Sequence, residues 1–189
     1  MIRIALVGDI GSGKSYIAKY FGYPVFNADF EVSKLYKNDR KIFNKLNKVL
    51  PKYIYSFPIN KNQVSNAILS NNQNLKKIVK IVHLEIKKKM NIFLKKNKNK
   101  KIVILDIPLF LENKINKKSD ILVFVQSKKS EVLKRLKKRS NFNNKLLSKF
   151  RNIQLPLDYK KKKSHFIIKN NFTNKSIKFG VKNILKEIL

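Results

Sequence analysis

The stretch "GDIGSGKS", Gly8 to Ser15, decides how the rest of the chain is read. It satisfies G-x-x-x-x-G-K-[ST] at every specified position. It also stands where that pattern has physical meaning, after the apolar run Ile2 to Val7 and before a helix expected over Ser15 to Phe21. A phosphate cradle needs backbone N–H groups converging at a helix N-terminus. Glycines at 8, 11 and 13 allow conformations closed to residues with side chains and let the amides come close to oxygen. Lys14 can then reach the β and γ phosphates as a point charge, and Ser15 can place a hydroxyl on Mg²⁺. Ser12 within the loop and Tyr16 in the first helical turn complete the set expected to hold ATP.

Working outward from the loop, further apolar runs occur at Val25 to Phe26, Ile102 to Leu105, Ile121 to Val125 and Phe166 to Ile168. They are short, rich in Val, Ile and Phe, and do not alternate, as expected of parallel strands buried on both faces. Helical periodicity separates them. Leu75, Val79, Val82, Ile86, Met90 and Phe93 mark one face of a long basic helix, and Ile177, Val181, Ile184, Leu185 and Ile188 mark another. Strands alternating with helices predict an α/β domain around a mostly parallel sheet of about five strands.

Two stretches break the alternation. From about Asp29 to Lys98 the chain is helical in character, interrupted at "LPKYIYSFPIN", where Pro51 and Pro58 forbid a continuous helix. That is long for one crossover and reads as a helical insertion over residues 30–98. The second, residues 128–156, holds two helices around Ser140 to Asn144 and a dense run of Lys and Arg. It fits either a solvated basic helix pair or a lid over phosphates. "KKNKNKK" before Ile102 reads as a polar connector.

Composition sets outer limits. With 189 residues, 43% hydrophobic, the chain is one domain's worth and can bury a core. It has no cysteine, so disulfides, thiol nucleophiles and thiolate metal sites are excluded. His83 and His165 have no second ligand nearby in sequence, which argues against structural zinc. No apolar run is long enough to span a membrane, and the N-terminus lacks the features of a signal peptide, so a cytoplasmic protein is expected. The net charge of +33 should attract polyanions. Lysine, asparagine and isoleucine all have A/T-rich codons, however, so coding bias accounts for the charge as well as nucleic-acid binding does.

Phosphate binding does not name an acceptor. In "YPVFNADF" a short strand runs toward Asp29, and in a parallel sheet the C-terminal strand ends share one crevice. Asp29 could therefore take a hydroxyl proton from a second substrate, or it could cap the helix Phe30 to Lys37.

Three segments, "GDIGSGKS", "PVFNAD" and "VILDIPLFLE", in this order resemble the dephospho-coenzyme A kinase family, whose members typically carry GGIGSGKS, PVIDAD and a PLLFE-like stretch. "QLPLDYKKKKSHFIIKNN" is similar to that family's QMPLEEKRARADYVIDN, so the likeness covers nearly the whole chain. The resemblance implies a P-loop fold like that of the nucleoside monophosphate kinases, in three layers and as a single domain over residues 1–189. Within it, residues 30–98 would bind the acceptor and 128–156 would form the lid. It implies phosphoryl transfer from ATP, with Mg²⁺, to the ribose 3′-hydroxyl of dephospho-coenzyme A. Asp29 matches the second Asp of DAD and would orient or deprotonate that hydroxyl, while Asn27 stands where the first Asp usually does. Arg139, with Arg135 one turn earlier, matches the lid arginine that closes on ATP. Asn170 keeps the asparagine that could contact adenine, and Pro108 and Leu109 join the acceptor site. Asp106 could orient a metal-bound water or simply end a strand.

The departures fall mostly on the acceptor side. Lys61 replaces a typical arginine, keeping charge but losing bidentate geometry. His83 is followed by Leu84 where the family has an HP pair, so it is either a substrate contact or an ordinary helix histidine. Lys169 replaces an aspartate, and Asp9 replaces the second glycine of the loop. The expected partners are ATP and dephospho-coenzyme A, with a monomeric enzyme, no membrane and no specific nucleic acid. The open alternatives are another small-metabolite or nucleotide kinase on the same fold, or a basic nucleic-acid-binding protein using its loop as a switch. Against the latter, no recognition motif is present and the aromatics lie mostly in apolar runs.

Overall fold

Five short apolar runs become five strands because each can bury both faces. The computed structural model describes residues 1–139 and 142–189. The strands are β1 (Ile2–Gly8), β2 (Val25–Asn27), β3 (Ile102–Asp106), β4 (Ile121–Gln126) and β5 (Phe166–Lys169). All pair in parallel, in the order β2-β3-β1-β4-β5. The expected strands are all present, each one residue longer at the C-terminal end, where Gly8, Asn27, Asp106, Gln126 and Lys169 fall outside the apolar runs. Those added residues are the ones at the crevice end of the sheet.

The chain divides into two compact units. The first comprises Met1–Asn27, Asn97–Asn143 and Arg151–Leu189, and holds the sheet with α1 (Lys14–Tyr20), α6 (Lys129–Lys137), α8 (Leu157–Lys163) and α9 (Asn174–Ile188). On one face Ile4, Leu6, Ile104, Val123, Val125 and Ile168 meet Ile17, Ala18 and Phe21 of α1 and Ile177, Val181 and Ile184 of α9. Each such fully buried aliphatic side chain stabilises the fold by about 1.5–3 kcal/mol, so α1 is held rigidly behind the loop that precedes it. Helix α8 packs against β1 and β4. Within this unit Arg3, only 7% exposed, forms a two-point ion pair with Asp120 (Nη2 to Oδ2 3.0 Å, Nε to Oδ1 2.9 Å). Burial pushes the Asp120 carboxyl above the ordinary carboxylate range, opposed by the Lys117 N–H and by Arg3.

The second unit, Ala28–Lys96 with Asn144–Phe150, is helical: α2 (Ala28–Asn38), α3 (Arg40–Val49), α4 (Lys61–Ser70), α5 (Asn72–Lys96) and most of α7 (Asn144–Asn152). Leu75, Ile78, Val82, Ile86 and Met90 form the buried stripe of α5, against which α2, α3 and α4 pack. Asp39 caps α3 through the Ile42 N–H (3.0 Å), and Asn60 caps α4 through the Asn62 N–H (2.9 Å). The proline-bearing segment between α3 and α4 is non-helical, as expected. Helix α5 runs two residues into the expected connector, through Lys96. The junction expected at Ser140, with Asn141, lies outside the described residues.

Candidate active site

The loop between β1 and α1 is built on glycines in backbone conformations that residues with side chains rarely adopt. Gly8, Gly11 and Gly13 have φ of 144°, 81° and 94°. A β-carbon on Gly8 would sit 2.7 Å from the Val125 carbonyl oxygen, and one on Gly11 would sit 2.9 Å from Leu136 Cγ. Gly13 is the N-cap of α1, and among the described residues no side chain caps that helix end. The positive end of the helix dipole therefore faces the loop. Lys14 Nζ donates to the carbonyls of Asp9 (2.7 Å) and Gly8 (3.2 Å). Its ammonium is thus held over the loop, on neutral acceptors that a phosphate oxygen outcompetes by charge.

Two side chains fix the back of the loop. Asn170 Nδ2 donates to the Ser12 carbonyl at 2.8 Å, and Ser127 Oγ donates to the same oxygen at 3.0 Å. Asn170 Oδ1 accepts the Phe172 N–H at 2.8 Å, so both ends of its buried amide are engaged in holding the loop and the turn after β5. Ser12 is 1% exposed, and among the described residues its Oγ has no hydrogen-bond partner. Beside Gly13, Phe172 takes φ 64°, a left-handed conformation costly for a bulky residue. The Arg135 guanidinium lies 4.5 Å over its ring. A flat cationic and aromatic stack therefore borders the loop.

Asp106, at the end of β3, sits next to the centre of this arrangement. It accepts hydrogen bonds from the Ser15 hydroxyl and from Asn27 Nδ2, the latter in register on β2. Burial lifts its carboxyl above the ordinary range, opposed by Ser15, by the Lys14 charge and by Asn27. Asp106 is thus a buried strand-end carboxyl beside the loop hydroxyl. Among the described residues no cluster of three acidic or histidine side chains could hold a metal. One hydroxyl and one carboxylate in contact still suit Mg²⁺, which keeps waters and takes its other ligands from phosphate.

Asp9 is the position for which spacing alone gives no account, and the structure provides one. Its Oδ1 accepts the Ile10 N–H at 2.7 Å, and its Oδ2 accepts Arg151 Nη2 at 3.0 Å. The carboxylate that replaces a loop glycine is neutralised by an arginine 142 positions away. Nothing local in the sequence marks Arg151 as its partner.

Two of the segments that carry the family likeness, the one ending in Glu112 and the one following Gln154, meet in the first unit. Glu112, which ends "IPLFLE", accepts the Leu155 N–H at 3.0 Å and pairs with Lys160 Nζ at 2.6 Å. Lys160 is 2% exposed, so this pair is a structural tie between the turn after β3 and α8 rather than a free surface contact. Leu109 takes φ 56° and Pro108 is exposed, placing both in a strained turn after β3. Tyr16 turns its hydroxyl to Tyr20 and Asn174, at 2.8 Å each. Arg139 follows α6, exposed, its N–H on the Leu136 carbonyl at 3.1 Å.

Asp29, Lys61 and His83 belong to the second unit. Asp29 lies in the first turn of α2, which starts at Ala28, so it is a first-turn acid rather than the cap residue. Lys61 opens α4 and is exposed. His83 Nε2 is buried with no hydrogen-bond partner among the described residues, and burial, then Lys87, lowers its pKa. The same unit contains a cleft of about 330 Å³ whose lining includes Tyr53, Tyr55, Asn60, Asn62, Gln63 and Asn66.

A family model described as dephospho-CoA kinase matches residues 2–176. A dephospho-CoA kinase from a Wolbachia of Brugia malayi is 33% identical over 190 residues, covering 98% of this chain and 97% of its own. Among solved structures, a Thermus thermophilus protein superposes with a TM-score of 0.77 at 22% identity over 100% of this chain and 98% of its own. The dephospho-CoA kinase from Campylobacter jejuni gives 0.65 at 19% identity over 98% and 96%. At those identities the structures speak for the fold, and the family match speaks for more.

Proposed function

Since the chain belongs to the dephospho-CoA kinase family, we propose that it transfers the γ-phosphoryl group of ATP to the ribose 3′-hydroxyl of dephospho-CoA. The observation that carries the donor half is the convergence of Lys14, Ser15 and Asp106 on one glycine loop, with the Ser15 hydroxyl on the Asp106 carboxylate. In this reading the loop amides and Lys14 hold the β and γ phosphates and offset the charge that spreads over the transferring group. Ser15 and Asp106 are the residues that would hold Mg²⁺, an ion that would supply charge neutralisation on the phosphate oxygens. Asn170 and Ser127 act one step back, keeping the Ser12 carbonyl, and hence the neighbouring amides, where phosphate needs them. Arg135 and Arg139 serve the donor nucleotide from the segment after β4.

The acceptor half rests on the family and on chain position. Asp29 receives the proton of the 3′-hydroxyl as the new O–P bond forms and the bond to the leaving ADP oxygen breaks. Residues 30–98 bind dephospho-CoA, with Lys61, His83, Pro108 and Leu109 as its contacts. The amide-lined cleft of the helical unit suits a substrate with an amide-bearing arm. Incubating the purified protein with ATP, Mg²⁺ and dephospho-CoA should yield ADP and coenzyme A. ADP formation with shikimate or deoxyadenosine in place of dephospho-CoA, and none with it, would overturn the acceptor.

A further inference from the structure

A carboxylate inside a phosphate loop opposes the binding of a polyanion unless a cation offsets it. All the polar groups of Asp9 used here converge on the loop. Its carbonyl takes Lys14 Nζ at 2.7 Å and the Ser12 N–H at 3.2 Å, while its carboxylate takes the Ile10 N–H and Arg151 Nη2. Lys14 and Arg151 are therefore both held by one loop residue. Arg151 is used sparingly: among the described residues its guanidinium makes one hydrogen bond, to Asp9 Oδ2 at 3.0 Å, out of five possible N–H donors. Its side chain is 34% exposed and that of Asp9 15%, so the pair is partly shielded but reachable by a ligand in the loop.

We propose that Arg151 is a phosphate ligand of the donor site, anchored by Asp9 so that its remaining N–H donors meet the terminal phosphate of a nucleoside triphosphate. The physical logic is preorganisation. A long arginine free in solvent loses rotamer freedom when it grips phosphate, whereas one already fixed by a carboxylate loses little. Asp9 is then the positioning residue, and Arg151 the group that touches the nucleotide. The Asp9 anchor that Arg151 shares with Lys14 assigns the contact to the β–γ end, the part that distinguishes ATP from ADP. This rests on the donor half of the proposed function alone.

The test measures Mg²⁺–ATP and Mg²⁺–ADP binding by calorimetry, without acceptor, for wild type, Arg151→Ala and Arg151→Ala/Asp9→Asn. Arg151→Ala removes a donor and also bares a carboxylate, so it should weaken both nucleotides, ATP about tenfold or more beyond ADP. Adding Asp9→Asn removes the bare charge and should restore ADP binding, while the selective loss of ATP persists. A double variant that prefers ATP over ADP as strongly as wild type does would reduce Arg151 to a neutraliser of Asp9 and overturn the proposal. If Arg151→Ala alone fails to fold, the double variant and Arg151→Lys carry the same comparison. Because no acceptor is present, failure here is distinct from failure to phosphorylate dephospho-CoA, which the wild type reports separately.

Discussion

Gly13→Ala tests how the loop is held. Gly13 sits at φ 94°, ψ 15°, and a β-carbon there would lie 2.5 Å from Asn170 Nδ2. Placing an L-residue in that left-handed conformation costs about 1–2 kcal/mol. The Asn170 amide cannot swing aside cheaply, because it is 4% exposed and bonded to the Ser12 carbonyl at 2.8 Å and the Phe172 N–H at 2.8 Å. Driving it off leaves a buried amide donor unsatisfied, about 1–3 kcal/mol. The Ser12 carbonyl keeps Ser127, so its own loss is smaller. The sum, about 2–5 kcal/mol, corresponds to a Tm lowered by roughly 4–20 °C for a chain of this size. Thermal melts of Gly13→Ala, Asn170→Ala and the double variant separate the two terms. Once the amide is gone the clash is gone, so the second substitution should cost about 1–3 kcal/mol less than it does alone. If the two single effects add to within about 0.5 kcal/mol, the Asn170 contact does not hold the loop and this reasoning fails.

The remaining expectations concern the chemistry. Lys14→Ala should abolish phosphoryl transfer while circular dichroism and the melting curve stay native; turnover near wild type would remove the loop from the mechanism. Asp29→Asn should lower turnover about 100-fold or more with ATP binding nearly unchanged, since general-base contributions are about 10²–10⁴; a fall in Tm alone would leave Asp29 a helix-terminal acid. For Asp106, burial raises the folded pKa, so the folded protein keeps a proton that the unfolded chain has released. Its stabilising contribution is full below the unfolded pKa of about 3.9 and declines as pH rises through the higher folded value. Asp106→Asn removes that decline, so without Mg²⁺ the Tm of the variant should gain on wild type as pH rises through that window. A Tm difference independent of pH would contradict the burial argument.

How far these features could be read in advance depends on whether the decisive contact is local. The loop was legible because strand, glycines, Lys14 and helix follow one another, and backbone conformation there is dictated by residues within a few positions. The strands were legible for a similar reason: burial on both faces writes an unbroken apolar run. Their last residues were not, because Asn27 and Asp106 are polar where the sheet opens onto the site, and an apolar pattern stops one residue short of the chemistry. Pairings across the chain left no local trace. Arg151 lies 142 positions from Asp9, and Lys160 meets Glu112 from the far side of α6. Leu109 and Phe172 adopt left-handed backbone without being glycine, so the residue type that usually announces such a turn is missing at both. Two of these unannounced features border the loop, where the Asp9 pair and the Arg135 stack on Phe172 depart from what local preference selects. Strain and buried charge persist in a fold when the surroundings overdetermine them, and they gather where a site must be rigid before its ligand arrives. For a reaction that consists mostly of positioning phosphate and charge, local sequence announced the loop itself and left unannounced the distant contacts that hold it, Asn170 and Ser127 on the Ser12 carbonyl and Arg151 on Asp9.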